Sequence, residues 1–282
     1  MWPWLSSSAN RRRHDQRQEH TLMSLTYLSY LKIPELLELQ KLRSDTEEHD
    51  EMLFIVIHQV YELWFKQILH EISALRASLS TGETWEAARL MRRILTILKV
   101  LVHQVDILET MTPLAFSQFR AFLESASGFQ SVQFRELEII CGIHGQISLK
   151  QHPKDSPQRE RLLERMSEET LWEGFCAYLA AKGFDVPPPV RDLSARPIHP
   201  PDPAAQSVLV TIMKTKPELA LLSELFVDLD EGLQEWRYRH VKMVERTIGA
   251  KKGTGGSPGV AYLRSTLHQP IFPDLWAIRN EL

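Results

Sequence analysis

Apolar residues recur along this chain at every third or fourth position, and no stretch alternates apolar and polar residues as a half-buried strand would. The clearest run is His49–Glu71, HDEMLFIVIHQVYELWFKQILHE. Its stripe of Leu53, Ile57, Tyr61, Trp64 and Ile68 continues through Ile72, Leu75 and Leu79 on one side of a helix. Phe54, His58 and Phe65 form a second stripe beside the first. An apolar arc that wide predicts burial against several partners rather than one. A second helix is predicted over Glu83–Glu109, with Ala88, Met91, Leu95, Leu98, Val102, Val105 and Leu108 facing inward.

Thr112 followed by Pro113 has the form of a capping residue and a first-turn proline. It predicts a short helix with Phe116, Phe119 and Leu123 inward, ended at Ser127–Gly128, before a fourth helix over Ser131–Ile143. Ser167 is expected to cap the next, which carries Leu171, Trp172, Phe175, Tyr178 and Leu179. Residues 185–203 hold seven prolines and read as an extended connection within one domain. Beyond it, Leu219–Ile248 places Leu222, Leu225, Leu229, Leu233, Trp236, His240, Val244 and Ile248 on one face. Two short helices should follow, one starting at Pro258 with Ser257 as its cap, the other near Pro273. The fold class expected is all-α, a long-helix bundle with additional short helices, its early and late long helices adjacent. Residues 1–22 read as a mobile tail and 23–282 as a single helical domain.

Composition narrows the class. The 282 residues are 43% hydrophobic, enough for a large core. A formal net charge of -3 predicts no general affinity for nucleic acid or membrane surfaces. No run approaches the roughly eighteen consecutive apolar residues of a membrane span. Met1–Leu5 precede Arg11–Arg13, the reverse of the order in a secretion signal. Cys141 and Cys176 both fall in apolar helical patterns and read as small core residues in a reducing compartment. A cytoplasmic protein is expected.

Candidate chemistry centres on two histidines. His58 and His240 each sit on the apolar face of a long helix, and an imidazole buried there must find a partner. For His240 two readings stand: a satisfied core group, or an axial ligand to haem iron, with Arg237, Arg239 and Lys242 as cations for the propionates. Other metal chemistry has no motif, since HExxH, CxxC and glutamate three residues before a histidine are all absent. KGTGGSPG, Lys252–Gly259, has four glycines but neither the Walker lysine nor a preceding strand. It is either a plain turn or a lid whose Thr254 meets a ligand. Arg120 is either a solvated helix arginine or a carboxylate clamp.

Four blocks together resemble the tryptophan 2,3-dioxygenase family, in that family's order: HDEMLFIVIHQVYELWFKQILHE; LETMTP with FRAFLESASGFQSVQFR; WRYRHVKMV; and KKGTGGSPGVAYLRST. The similarity spans roughly Leu25–Phe272 and is loosest through the proline-rich connection. It implies a homotetrameric all-helical protein whose bundle encloses haem b, one per subunit and active as the ferrous form. The activity implied is dioxygen insertion across the indole C2–C3 bond of L-tryptophan, giving N-formyl-L-kynurenine. By motif, His240 is the iron ligand and His58 the catalytic residue near the indole N–H. Phe54 and Phe116 pack near the substrate ring, while Arg120 and Thr254 meet its carboxylate and ammonium groups. Ser127 lies near both haem and substrate, and Gly253 near the haem. The segment 23–40, with Tyr27, Tyr30 and Leu31, is expected to reach a neighbouring subunit's pocket. Two positions depart from the pattern. Phe116 stands where some members carry tyrosine, removing a hydroxyl, and Pro258 stands where serine is common, stiffening the end of the glycine loop.

Overall fold

The computed structural model describes residues 25–143, 149, 152–251, 253 and 259–282. The expected tail over 1–22, together with Thr254, Ser257 and Pro258, lies outside the described residues. The chain divides into two compact units, one ending at Lys41 and the other spanning Leu42–Leu282. In the first, α1 (Tyr27–Leu31) is capped by Thr26, which exchanges hydrogen bonds with Ser29 at 3.2 and 3.0 Å. Lys32, in the left-handed region at φ 54°, then turns the chain into α2 (Ile33–Leu37). Neither helix buries a residue.

The larger unit is all-helical, with no strand among the described residues. Its frame is α3 (His49–Thr81), α4 (Thr84–Leu108) and, far along the chain, α10 (Pro217–Ile248). Between them come α5 (Pro113–Phe119), 3-10 turns at Arg120–Leu123 and Gly128–Gln130, and α6 (Val132–Ile140). Then follow α7 (Pro157–Ser167), α8 (Leu171–Ala181) and α9 (Pro203–Thr215). After α10 come α11 (Val260–Ser265) and α12 (Pro273–Ala277).

Two boundaries differ from expectation. Ser167 ends α7 rather than capping the next helix. The cap is Thr170, whose hydroxyl accepts from Glu173 N–H while the Glu173 carboxylate accepts from Thr170 N–H at 2.7 Å. The proline-rich connection forms no helix as far as Asp202, but it is not simply extended. It turns back over residues 193–199, where Asp192 N–H donates to the Ile198 carbonyl at 2.6 Å. Pro203 then opens α9, a helix that was not expected from the sequence. Pro217 makes the break, as the first residue of α10. The helix expected from Pro258 is described from Val260, and the one near Pro273 begins there.

The early and late long helices are adjacent, as expected, chiefly through α4. α4 packs along both α3 and α10, whereas α3 and α10 share no comparable backbone contact. They meet through aromatic side chains: Trp236 of α10 lies 6.3 Å from both Tyr61 and Phe65 of α3, ring centre to ring centre. Such bulky rings hold two helix axes apart. On one side of this aromatic level the interior fills completely, with Ile68, Ile72, Leu75, Met91, Ile94, Phe226 and Leu229 almost wholly buried. That burial is the main stabilising contribution, at about 1.5–3 kcal/mol per large apolar side chain. On the other side α5 touches both α3 and α10, and a smaller cluster of Ile57, Val105, Leu108, Met111 and Phe119 leaves space between the helices.

Candidate active site

That space is a cavity of about 280 Å³, the scale of a small-molecule site. α3 contributes Phe54, His58, Tyr61 and Phe65, and α5 with its following turn contributes Phe116 and Arg120. Ser127 enters as the cap of the Gly128–Gln130 turn, its hydroxyl accepting from Phe129 N–H at 3.3 Å. α10 lines the cavity with Trp236, Arg237, His240, Val241 and Val244, and Gly253 lies at its edge. Seven of the residues singled out by sequence therefore share one cavity: Phe54, His58, Phe116, Arg120, Ser127, His240 and Gly253. Tyr27, Tyr30 and Leu31 belong to the N-terminal unit, where all three are exposed.

His58 has a defined tautomer. Its Nδ1 lies 2.6 Å from the carbonyl oxygen of Phe54, one turn earlier. A carbonyl only accepts, so Nδ1 carries the proton and donates it. Nε2 of the neutral ring is then left with its lone pair. Burial pushes the pKa of His58 down, against the raising effects of the Phe54 carbonyl and nearby Glu62, so the neutral form dominates at pH 7. The Phe54 and His58 rings lie 4.1 Å apart, and Phe116 and Phe119 meet edge to face at 5.3 Å. The wall beside His58 is thus aromatic and tightly braced.

His240 is surrounded by protein yet keeps accessible surface, because it faces the cavity. Burial first, then His58 and Arg135, push its pKa down to about 4. Its ring stacks on Trp236, and no hydrogen bond joins it to another described residue. The result is a neutral imidazole directed at a void. Among the described residues no group of three or more His, Cys, Asp or Glu could hold a metal ion, so this imidazole is a lone donor. A lone neutral donor facing a largely apolar cavity could hold a metal whose remaining donors arrive with a bound cofactor.

Tyr61 is no proton carrier. Burial raises its pKa to about 12, and its hydroxyl donates to the Leu101 carbonyl at 2.9 Å. Of the cations flanking His240, Arg237 lines the cavity, but Arg239 pairs with Asp106 at 2.6 Å and Glu109 at 3.2 Å, and Lys242 is exposed beside Glu245. Sequence reasoning missed Arg135, Glu138, Arg196 and Tyr262, all on the cavity wall. The first two had a signal: a charged pair three residues apart inside the apolar run of α6. Arg196, in the proline-rich connection, had none.

Comparison with known proteins identifies the family. The family model described as tryptophan 2,3-dioxygenase matches residues 12–177 and 204–282, leaving out the whole proline-rich connection. A protein of Herpetosiphon aurantiacus named tryptophan 2,3-dioxygenase is 56% identical over 92% of this chain and 99% of its own length. Proteins of the same name from Anaeromyxobacter sp. strain K and Nocardioides sp. are 54% and 47% identical, each over 92% of this chain and at least 95% of its own. With both histidines, the arginine and the aromatic wall gathered at one cavity, the chain belongs to the tryptophan 2,3-dioxygenase family.

Proposed function

We propose that this protein opens the indole ring of L-tryptophan with dioxygen, giving N-formyl-L-kynurenine, and that it does so as a haem-dependent homotetramer. The observation that carries the reading is the neutral His240 imidazole, directed into the same cavity as His58, Phe54 and Arg120. His240 would hold haem b, one per subunit, with Ser127 and Gly253 beside it. The ferrous haem supplies the activation of dioxygen, which in its triplet state reacts slowly with closed-shell molecules.

The chain's own residues bind and orient the substrate. Nε2 of His58, left as an acceptor by the bond from Nδ1 to Phe54, receives the indole N–H. It acts through orientation rather than as a strong base, because an electron-rich indole reacts without first losing that proton. Phe54 and Phe116 pack against the ring and exclude water. Arg120, with Thr254 from the glycine loop, receives the carboxylate and ammonium ends. Tyr27, Tyr30 and Leu31 are assigned to a neighbouring subunit's pocket. Their exposure on α1, at 72%, 69% and 42%, supports a second surface covering them. No helix among the described residues is long and apolar enough to cross a membrane, which is compatible with a cytoplasmic location.

The test is an absorption spectrum of the reduced protein with and without L-tryptophan, alongside an assay for N-formylkynurenine under air. A histidine-ligated Soret band and product formation are expected. A protein supplied with iron and porphyrin that stays colourless sinks the reading.

A further inference from the structure

Among the described residues two carboxylates line the cavity, and only one of them has its charge cancelled. Glu138 of α6 is met by three guanidinium groups. Arg237 approaches its Oε1 at 3.2 Å and Arg196 at 3.4 Å, while Arg135 bonds to Oε2. Glu62 of α3 is held differently. Its Oε2 accepts from Nε2 of Gln133 at 2.8 Å, and the same nitrogen donates to the Glu62 main-chain carbonyl at 2.8 Å. Gln133 is neutral, and among the described residues no cation pairs with Glu62, so its charge stands uncancelled at the cavity wall.

The anchorage is firm. Gln133 stands in the first turn of α6, two residues after Ser131, the cap whose hydroxyl accepts from Phe134 N–H at 3.2 Å. One side-chain amide thus fastens both the main chain and the carboxylate of Glu62, and ties α3 to the start of α6.

Glu62 follows His58 by four residues on α3, and both line the cavity. Residues so spaced are neighbours one turn apart, with Cβ atoms about 5–6 Å from each other. The charge is felt at the imidazole: burial lowers the pKa of His58, and Glu62 opposes burial. The neutral ring donates through Nδ1 to the Phe54 carbonyl and is left to accept through Nε2. A negative charge nearby makes that nitrogen a better acceptor, most of all where water is excluded. The gain grows during the reaction, because an indole giving electron density to oxygen becomes more positive at its own N–H.

We propose that Glu62, held by Gln133, is a positioning residue that acts through His58: its fixed negative charge strengthens Nε2 as the acceptor of the indole N–H. The proposal rests on the reading of His58 as that acceptor and names the group that tunes it.

The test uses haem-loaded full-length enzyme and two ligands, L-tryptophan and its benzofuran analogue, in which oxygen replaces the ring N–H. Glu62→Gln removes the charge and keeps an acceptor for Gln133. Its dissociation constant for L-tryptophan, read from the haem absorption spectrum, should rise about threefold to fivefold, part of what one whole hydrogen bond is worth. For the analogue it should change less than about twofold, since that ring offers no proton to Nε2. The kcat for L-tryptophan should fall as well, and Glu62→Asp should lie between. Gln133→Leu, which keeps the charge but frees it, should give a smaller rise with the same selectivity. In a His58→Ser background Glu62→Gln should add nothing.

An unchanged dissociation constant in Glu62→Gln overturns the proposal. Equal losses toward both ligands also do so, because Glu62 would then merely shape the pocket. An undiminished effect in the His58→Ser background has the same consequence. If His58→Ser alone leaves the preference for L-tryptophan over the analogue intact, the indole N–H does not meet His58. The reading of His58 then fails first, and the role of Glu62 falls with it.

Discussion

The indole of Trp236 and the imidazole of His240 are stacked almost parallel, with 7° between their planes and 5.2 Å between centres. They sit four residues apart on α10, where one helical turn superposes side chains. No hydrogen bond to a described residue orients the imidazole, so this ring contact sets its tilt. An aromatic pair of this kind is worth about 0.5–1.5 kcal/mol beyond its buried area. Trp236→Leu is therefore expected to speed haem loss roughly 2- to 10-fold, with Trp236→Phe falling between. Rates of transfer to apomyoglobin measure this, and a wild-type rate for the leucine variant would count against the contact.

His58 and His240 line one cavity with different duties, so their variants should separate. His240→Ala should lose the histidine-ligated spectrum. His58→Ser should keep it and lose about tenfold in kcat/KM, the worth of one hydrogen bond in the transition state. Equal haem loss in both variants would contradict the assignment.

Arg120 should account for preference at the amino-acid end. A charge-assisted bond is worth about 1.5–3 kcal/mol, so tryptamine should be turned over at least tenfold less efficiently than L-tryptophan. In Arg120→Gln the two substrates should converge. Wild-type turnover of tryptamine at the L-tryptophan rate would remove the clamp.

Acid should weaken the protein lacking bound haem through its buried imidazoles. The pKa of His240 falls from 6.5 to about 4 on folding, and burial moves His58 and His199 in the same direction. Above pH 6.5 neither state takes up the proton. Between pH 6.5 and about 4 only the unfolded chain binds it, so stability declines as pH falls, and below about 4 His240 adds no further loss. The His240 share is at most a few kcal/mol. Urea midpoints across this window should therefore slope less in His240→Phe than in wild type.

Asp230 joins α10 to the C-terminal segment. Its Oδ2 accepts from Ile271 N–H, Phe272 N–H and Trp276 Nε1 at 2.7, 3.0 and 2.9 Å, while Gln234 donates to Oδ1 at 2.6 Å. The side chain is wholly buried. Asp230→Ala would strand these donors at a cost of about 3–5 kcal/mol, lowering Tm by about 6–20 °C. A shift under about 3 °C in a calorimetric scan would show that water replaces the carboxylate.

Local physics made much of this protein legible. Helical periodicity placed α3, α4, α5 and α10, because each has an apolar face, and α5 and α10 also open on a proline. The motifs around His58, Arg120 and His240 identified the family, since a catalytic group keeps its immediate neighbours along the chain. Three things were decided only by folding. Whether α3 and α10 touch depended on Tyr61, Phe65 and Trp236 meeting across the bundle, which no one-dimensional spacing records. The end of one helix at Ser167 and the start of the next at Thr170 depended on which hydroxyl found the free N–H groups. The gathering of Arg135, Arg196 and Arg237 around Glu138 draws on three separate segments, and electrostatic balance is set by distance in space. The chain's pattern thus fixed what must be buried, while packing chose what that burial would enclose.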